Sequence, residues 1–248
     1  MVEFISLGSA MTASAFSALL ARQYLSKRRL YQLIWTVSMS LFALGAFLEF
    51  VMSAVVVSGP LFDLYYLSIG PQVGLLGTGV VYLLKPRLGR YILYAVTALS
   101  ALLLLSVLVE PVNIIGLATS QSGTVMSYQQ WFQSSVVWGI YYSVSAFAAG
   151  PRDITMILNS LGSLLVVGGG ILSYVVDRRR RYALVIALGA LMNAIGGILL
   201  AFLNYPDLFL YFEFLGIVLL FLGFLMSSTF VSRSAAEVAE TVVAPAQA

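Results

Sequence analysis

Long apolar runs, separated by short charged clusters, make up most of this chain. They lie at 4–25, 30–57, 64–84, 91–108, 154–176, 182–203 and 208–231. Each is close to the ~20 apolar residues that a helix needs to cross about 30 Å of hydrocarbon. A lipid-embedded backbone must satisfy its polar groups internally, so runs of this kind predict helices. The expected fold is all-α, a polytopic membrane protein with a single seven-transmembrane-helix bundle over 1–233. Connections are short except for 109–153. Within that loop, 128–150 mixes Trp, Tyr and Val with Ser and Gln, which predicts an interfacial segment rather than a span. The Ala-, Val- and Glu-containing tail 234–248 is expected to be disordered and cytoplasmic.

Composition points the same way: 60% of the 248 residues are hydrophobic and 9% charged, against about 25% charged in an ordinary soluble domain. So few charges could not cover so much apolar side chain in water. The chain has no Cys and no His. That excludes thiol nucleophiles, Cys/His metal sites, His-ligated haem and His-based acid–base catalysis. The net charge of +3 is no nucleic-acid signal.

The distribution of basic residues sets the sidedness. Lys27-Arg28-Arg29, Lys85/Arg87/Arg90, Arg178–Arg181 and Arg233, with Arg22, place 12 of 13 basic residues on one side of seven spans. Were 128–150 an eighth span, only 8 of 13 would lie inside. The expectation is therefore seven helices in the cell membrane, N-terminus outside and C-terminus cytoplasmic. The opening Met1-Val2-Glu3-Phe4 lacks the basic start of a cleavable signal peptide, so the first segment reads as a retained helix.

Charges inside spans are costly and usually face a protein interior. Glu49 and Glu213 are two such residues, both roughly 7–12 Å below the outer surface at 1.5 Å per residue. Arg152 is the one basic residue on the outer side. These three, with Asp63, Tyr66, Gln72 and Asn159 at similar depth, form the candidate ligand-binding set. A carboxylate there can bind a cation or take up a proton. The competing reading is a structural ion pair, or, for Glu213, a carboxylate favoured by the positive end of its helix. Asn193, spaced by four from Gly189 and Gly197, reads as a packing face with one interhelical hydrogen bond. No catalytic or metal-binding residues, and no cofactor, are expected.

Pro71-Gln72 resembles the dipeptide of PQ-loop sugar transporters, but those carry it in each of two repeats and this chain has one copy; Pro71 reads instead as a tolerated helix kink. Microbial rhodopsins need a Lys in their last helix, and no span here contains Lys. One resemblance covers most of the chain. Trp35, Phe42 and Glu49, then Gly77-Thr78-Gly79-Val80-Val81-Tyr82-Leu83-Leu84, then Gly168-Gly169-Gly170-Ile171-Leu172-Ser173-Tyr174, resemble a set of uncharacterised prokaryotic seven-helix membrane proteins. That resemblance implies the helix count and no activity.

Three functions fit this reading. The first is a non-enzymatic, ligand-binding heptahelical protein, sensory or accessory, with an outward-facing polar pocket for a small molecule or lipid. A sensor would signal through a membrane or cytoplasmic protein partner met by the basic inner loops, although anionic lipid explains those loops equally. The second is a small-molecule or proton-coupled transporter using Glu49. The third is a structural subunit of a larger membrane complex.

Overall fold

The structure is a computed structural model, and it describes residues 3–54, 58–109, 149–203 and 206–243. The expected interfacial segment falls in 110–148, outside the described residues. Among the described residues, seven helices follow in chain order: α1 (Glu3–Lys27), α2 (Leu30–Ala54), α3 (Gly59–Leu84), α4 (Pro86–Val109), α5 (Ala149–Val176), α6 (Arg181–Leu203) and α7 (Pro206–Val243). All seven are long and apolar enough to cross a membrane, so the chain is a multi-pass helical membrane protein.

Four helices begin two to five residues earlier than the apolar runs suggest, and each carries a proline in its first turn. Pro60 occupies the first turn of α3, Pro86 opens α4, Pro151 lies in the first turn of α5 and Pro206 opens α7. Proline suits this place because the first-turn N–H has no helical partner anyway and its φ is preset. The early starts bring Asp63, Arg152 and Asp153 out of the loops and into helix. α7 continues to Val243, through residues 234–243 that the sequence reading leaves unstructured. The run Ala235-Ala236-Glu237-Val238-Ala239-Glu240 is rich in helix formers. At 38 residues, α7 is roughly 57 Å long, well beyond the bilayer core.

Six helices close a ring in the order α1–α2–α3–α5–α6–α7, with α7 returning to α1, while α4 packs outside against α3 and α5. Burial agrees: half of the α3 span is buried, against 17% of α4. α4 buries one narrow stripe, Gly89, Val96, Leu103 and Val107, and turns Leu102, Leu104, Leu105 and Leu108 outward. Lipid is as apolar as those side chains, so burial alone cannot order the helices; close packing and interhelical hydrogen bonds must. α3 meets α5 where a Cβ on Gly77 would lie 2.7 Å from the Gly162 carbonyl oxygen, and one on Gly162 would strike the backbone of Val73. α6 meets α7 where a Cβ on Gly189 would lie 2.7 Å from the Gly216 carbonyl oxygen. α2 is tied to α3 by Ser38 Oγ donating to the Gln72 carbonyl at 2.6 Å and Trp35 Nε1 donating to the Leu76 carbonyl at 3.1 Å. α3 runs on through Pro71.

The α1–α2 reversal takes only two residues. Arg28 adopts φ 51° there, and its N–H closes on the Tyr24 carbonyl at 2.7 Å, the left-handed helix ending that glycine usually provides.

The ring interior is one apolar cluster fed by all six helices. Ala13, Phe16 and Leu20 of α1 meet Met39, Phe42 and Ala46 of α2, Val166 of α5, Ala190 of α6 and Ile217, Leu220 and Phe224 of α7, with Leu76 and Val80 of α3 packed against them. Phe16 lies 5.3 Å and 5.0 Å, centroid to centroid, from Phe221 and Phe224.

Candidate functional site

The interior stripes carry polar residues at one end. On α2, Met39, Phe42 and Ala46 lead by helical spacing to Glu49, which is 1% exposed. On α7, Phe224, Leu220 and Ile217 lead back to Glu213. On α1, Phe16, Ala13 and Ala10 lead to Ser9 and Ser6, each 1% exposed. Contacts between helices bring these stripe ends to one level. Gly8 of α1 sits against the Phe214 ring of α7, and Ser17 bonds Ser40 of α2 at 2.8 Å. Antiparallel counting up from Ser17 and Ser40 sets Glu49 beside the first turns of α1, level with Glu213.

Glu49 and Glu213 are joined by a side-chain hydrogen bond. Such a bond needs an O–H donor, so the pair holds a proton when it is made. The second oxygen of Glu213, Oε2, is inaccessible and has no hydrogen-bond partner among the described residues. The same is true of Ser6 Oγ and Ser9 Oγ on α1, Thr155 Oγ1 and Asn159 Oδ1 on α5, and Asn193 Oδ1 on α6. Gln72 Oε1 of α3 is alike, a step deeper. Buried polar groups are nearly always paired, and each exception asks for a reason. Apart from Gln32 Oε1 at the basic end, these oxygens run from the middle of the bundle to its other end. Thr155 Oγ1 sits at the α3–α5 contact, where a Cβ on Gly70 would lie 3.2 Å from it, beside Leu103 of α4.

The remaining candidates lie on α3 and α5. Tyr66, 2% exposed, stacks on Phe62 at 6.4 Å between centroids, within a cluster shared by α2, α3, α4 and α5. Asp63 is half-buried on α3. Arg152 stands in the first turn of α5, where its Nε donates to Asp153 Oδ1 at 2.9 Å.

Ser6, Ser9, Thr155 and Asn193 were not in the set drawn from the sequence. Their signal is faint, since a serine in an apolar helix usually bonds its own backbone, as Ser68 and Thr78 do here. Asn193 keeps the expected packing contact with α7, its side chain lying over Gly216, but the hydrogen bond expected with it is not made by its Oδ1. Gly189 packs tightly, whereas a Cβ on Gly197 would meet no atom within 4 Å. Eight residues carry about 80° of rotation beyond two full turns, which takes Gly197 off the packed face.

The basic clusters occupy the opposite end of the bundle. There Asp177, in the α5–α6 turn, accepts the Arg179 backbone N–H at 3.0 Å and the Arg180 Nε at 3.1 Å. These bonds hold its carboxyl below the usual carboxylate range, the backbone bond being the larger cause and partial desolvation opposing it.

Seven membrane-length helices among the described residues, with an internal carboxyl pair, define a multi-pass helical membrane protein. Comparison with protein-family models, with curated proteins and with solved structures finds no match. That outcome is consistent with the resemblance to uncharacterised seven-helix proteins and brings no activity with it.

Proposed function

We propose that this is a non-enzymatic, ligand-binding membrane protein, sensory or accessory, whose polar tier faces outward. The reading rests above all on the hydrogen-bonded Glu49–Glu213 pair set among buried, unpartnered oxygens. A structural core would satisfy such groups internally; a binding chamber leaves them for an occupant. The Phe16–Phe221–Phe224 cluster fills the ring interior below, which favours binding from one side over a path through the membrane. Placement in the cell membrane, with the N-terminus outside and the C-terminus cytoplasmic, follows from the basic residues staying where the chain is made.

Native mass spectrometry of the full-length protein, released from lipid nanodiscs, tests the chamber. The expected result is a bound small molecule or lipid on the wild type that is lost from Glu49→Gln. A wild type that flies bare, or carries only a stoichiometric protein partner, would overturn it in favour of a structural subunit. The chain has no cysteine, so single-cysteine variants report sidedness directly. On intact cells, a membrane-impermeant maleimide should label Asp153→Cys and spare Ala248→Cys; labelling of both would end the outward assignment.

A further inference from the structure

The oxygens of the polar tier define what they would accept. Ser6 Oγ, Ser9 Oγ and Glu213 Oε2 are buried without partners, and the Glu49 and Glu213 carboxyls face each other across a hydrogen bond. These groups offer lone pairs and negative charge, which suits an occupant that brings positive charge or N–H donors. The site also already holds one positive charge, the proton that joins the carboxyls.

We propose that the Glu49–Glu213 pair binds a monovalent cation, either an inorganic ion or the ammonium head of an organic molecule, in exchange for that shared proton. The inference rests on the chamber reading and specifies its ligand. In the exchange the cation enters, the proton leaves, and both carboxyls become carboxylates. The buried pair carries one net negative charge before and after. Moving uncompensated charge into an apolar interior is expensive, and one-for-one exchange avoids it. The entering cation would replace the bridging proton, and the Ser6 and Ser9 hydroxyls would complete its oxygen shell. Among the described residues no third acidic side chain joins the pair, which suits a monovalent ion better than Ca²⁺ with its larger carboxylate demand.

The titratable and charged groups nearby are few. α3 offers Asp63, Tyr65 and Tyr66, α5 offers Arg152 and Asp153, and α7 offers Tyr211. α1 has none between Phe4 and Ala21, and α6 none between Ala183 and Leu203. Protons released on binding are therefore assigned by substitution at the pair itself.

The test uses full-length protein in phosphatidylcholine nanodiscs, weakly buffered, with a pH-indicator dye. Sodium chloride, methylammonium chloride and, as a bulky ionic-strength control, N-methylglucamine chloride are added at several starting pH values across the neutral range. Saturating sodium or methylammonium should release about one proton per protein in excess of the control, and Glu49→Gln and Glu213→Gln should abolish that release. A response to sodium alone identifies an inorganic ion; a stronger response to methylammonium identifies an amine. Ser6→Ala combined with Ser9→Ala, which leaves both carboxyls in place, should keep the one-proton stoichiometry and weaken the apparent affinity by about tenfold or more. No release above the control, release only with calcium, or release unchanged in Glu213→Gln overturns the proposal. Should native mass spectrometry still find an uncharged molecule bound, the chamber stands and only its cation chemistry falls.

Discussion

Two levels of the same ring treat buried polarity in opposite ways. In and below the apolar belt, polar side chains close on the protein itself: Ser38 on Gln72, Trp35 on Leu76, Ser17 on Ser40, and Thr78 on Gly74. Gln32 Oε1, near the basic end, and Gln72 Oε1, whose own carbonyl accepts Ser38, are the exceptions. In the polar tier above, hydroxyl, amide and carboxyl oxygens from α1, α5, α6 and α7 stay unpartnered around a carboxyl pair. The same helices supply both levels, so the difference is not one of helix type. Closed polar groups specify packing, whereas open ones lower stability unless something occupies them.

Four variants can break or sharpen this contrast. The largest effect is expected from Phe16→Ala, which empties the centre of the apolar belt. It should lower stability by about 3–5 kcal/mol, read as the thermal unfolding midpoint in detergent. Next comes the paired change Glu49→Met with Glu213→Met. Replacing a buried polar pair by apolar side chains of similar size is often neutral or stabilising, by about 1–4 kcal/mol. The expected outcome is an unchanged or raised unfolding midpoint with all proton release lost. A midpoint that drops as far as in Phe16→Ala would show that the pair is a structural tie, and the contrast between levels would collapse.

Ser17→Ala removes the Ser17–Ser40 bond and should cost about 0.6–2 kcal/mol. It should leave ligand and cation responses untouched, since this bond belongs to the closed level. The smallest effect is at the basic end. The Asp177 carboxyl is held below its usual range when folded. Its contribution is complete above the unfolded-state value and fades as pH falls through the folded one. Wild-type stability should therefore dip slightly on acidification below the ordinary carboxylate range, and Asp177→Asn should flatten that part of the pH–stability curve.

Much of the architecture was legible in the chain because hydropathy records, residue by residue, which solvent each helix faces. The seven spans follow from this, as does the gathering of basic residues at one end. The prolines at 60, 86, 151 and 206 were also readable, and as first-turn residues they would have set the helix starts correctly. The depth of Glu49 and Glu213 follows from counting along their helices. That two carboxyls could lie at one level was thus available without a structure.

Their meeting was not. In a bilayer every helix exterior is apolar, so hydropathy does not mark which face turns inward, and α1 gives no periodic hint that Ser6 and Ser9 do so. Which helices neighbour one another is decided by close backbone approach over long sequence separations, as at Gly77 with Gly162 and at Gly189 with Gly216. Those contacts leave α4 outside the ring and bring α7 back to α1. Sequence alone determined the spans and the depth of the charges. Tertiary packing, which joins residues 49 and 213, decided that the charges face each other.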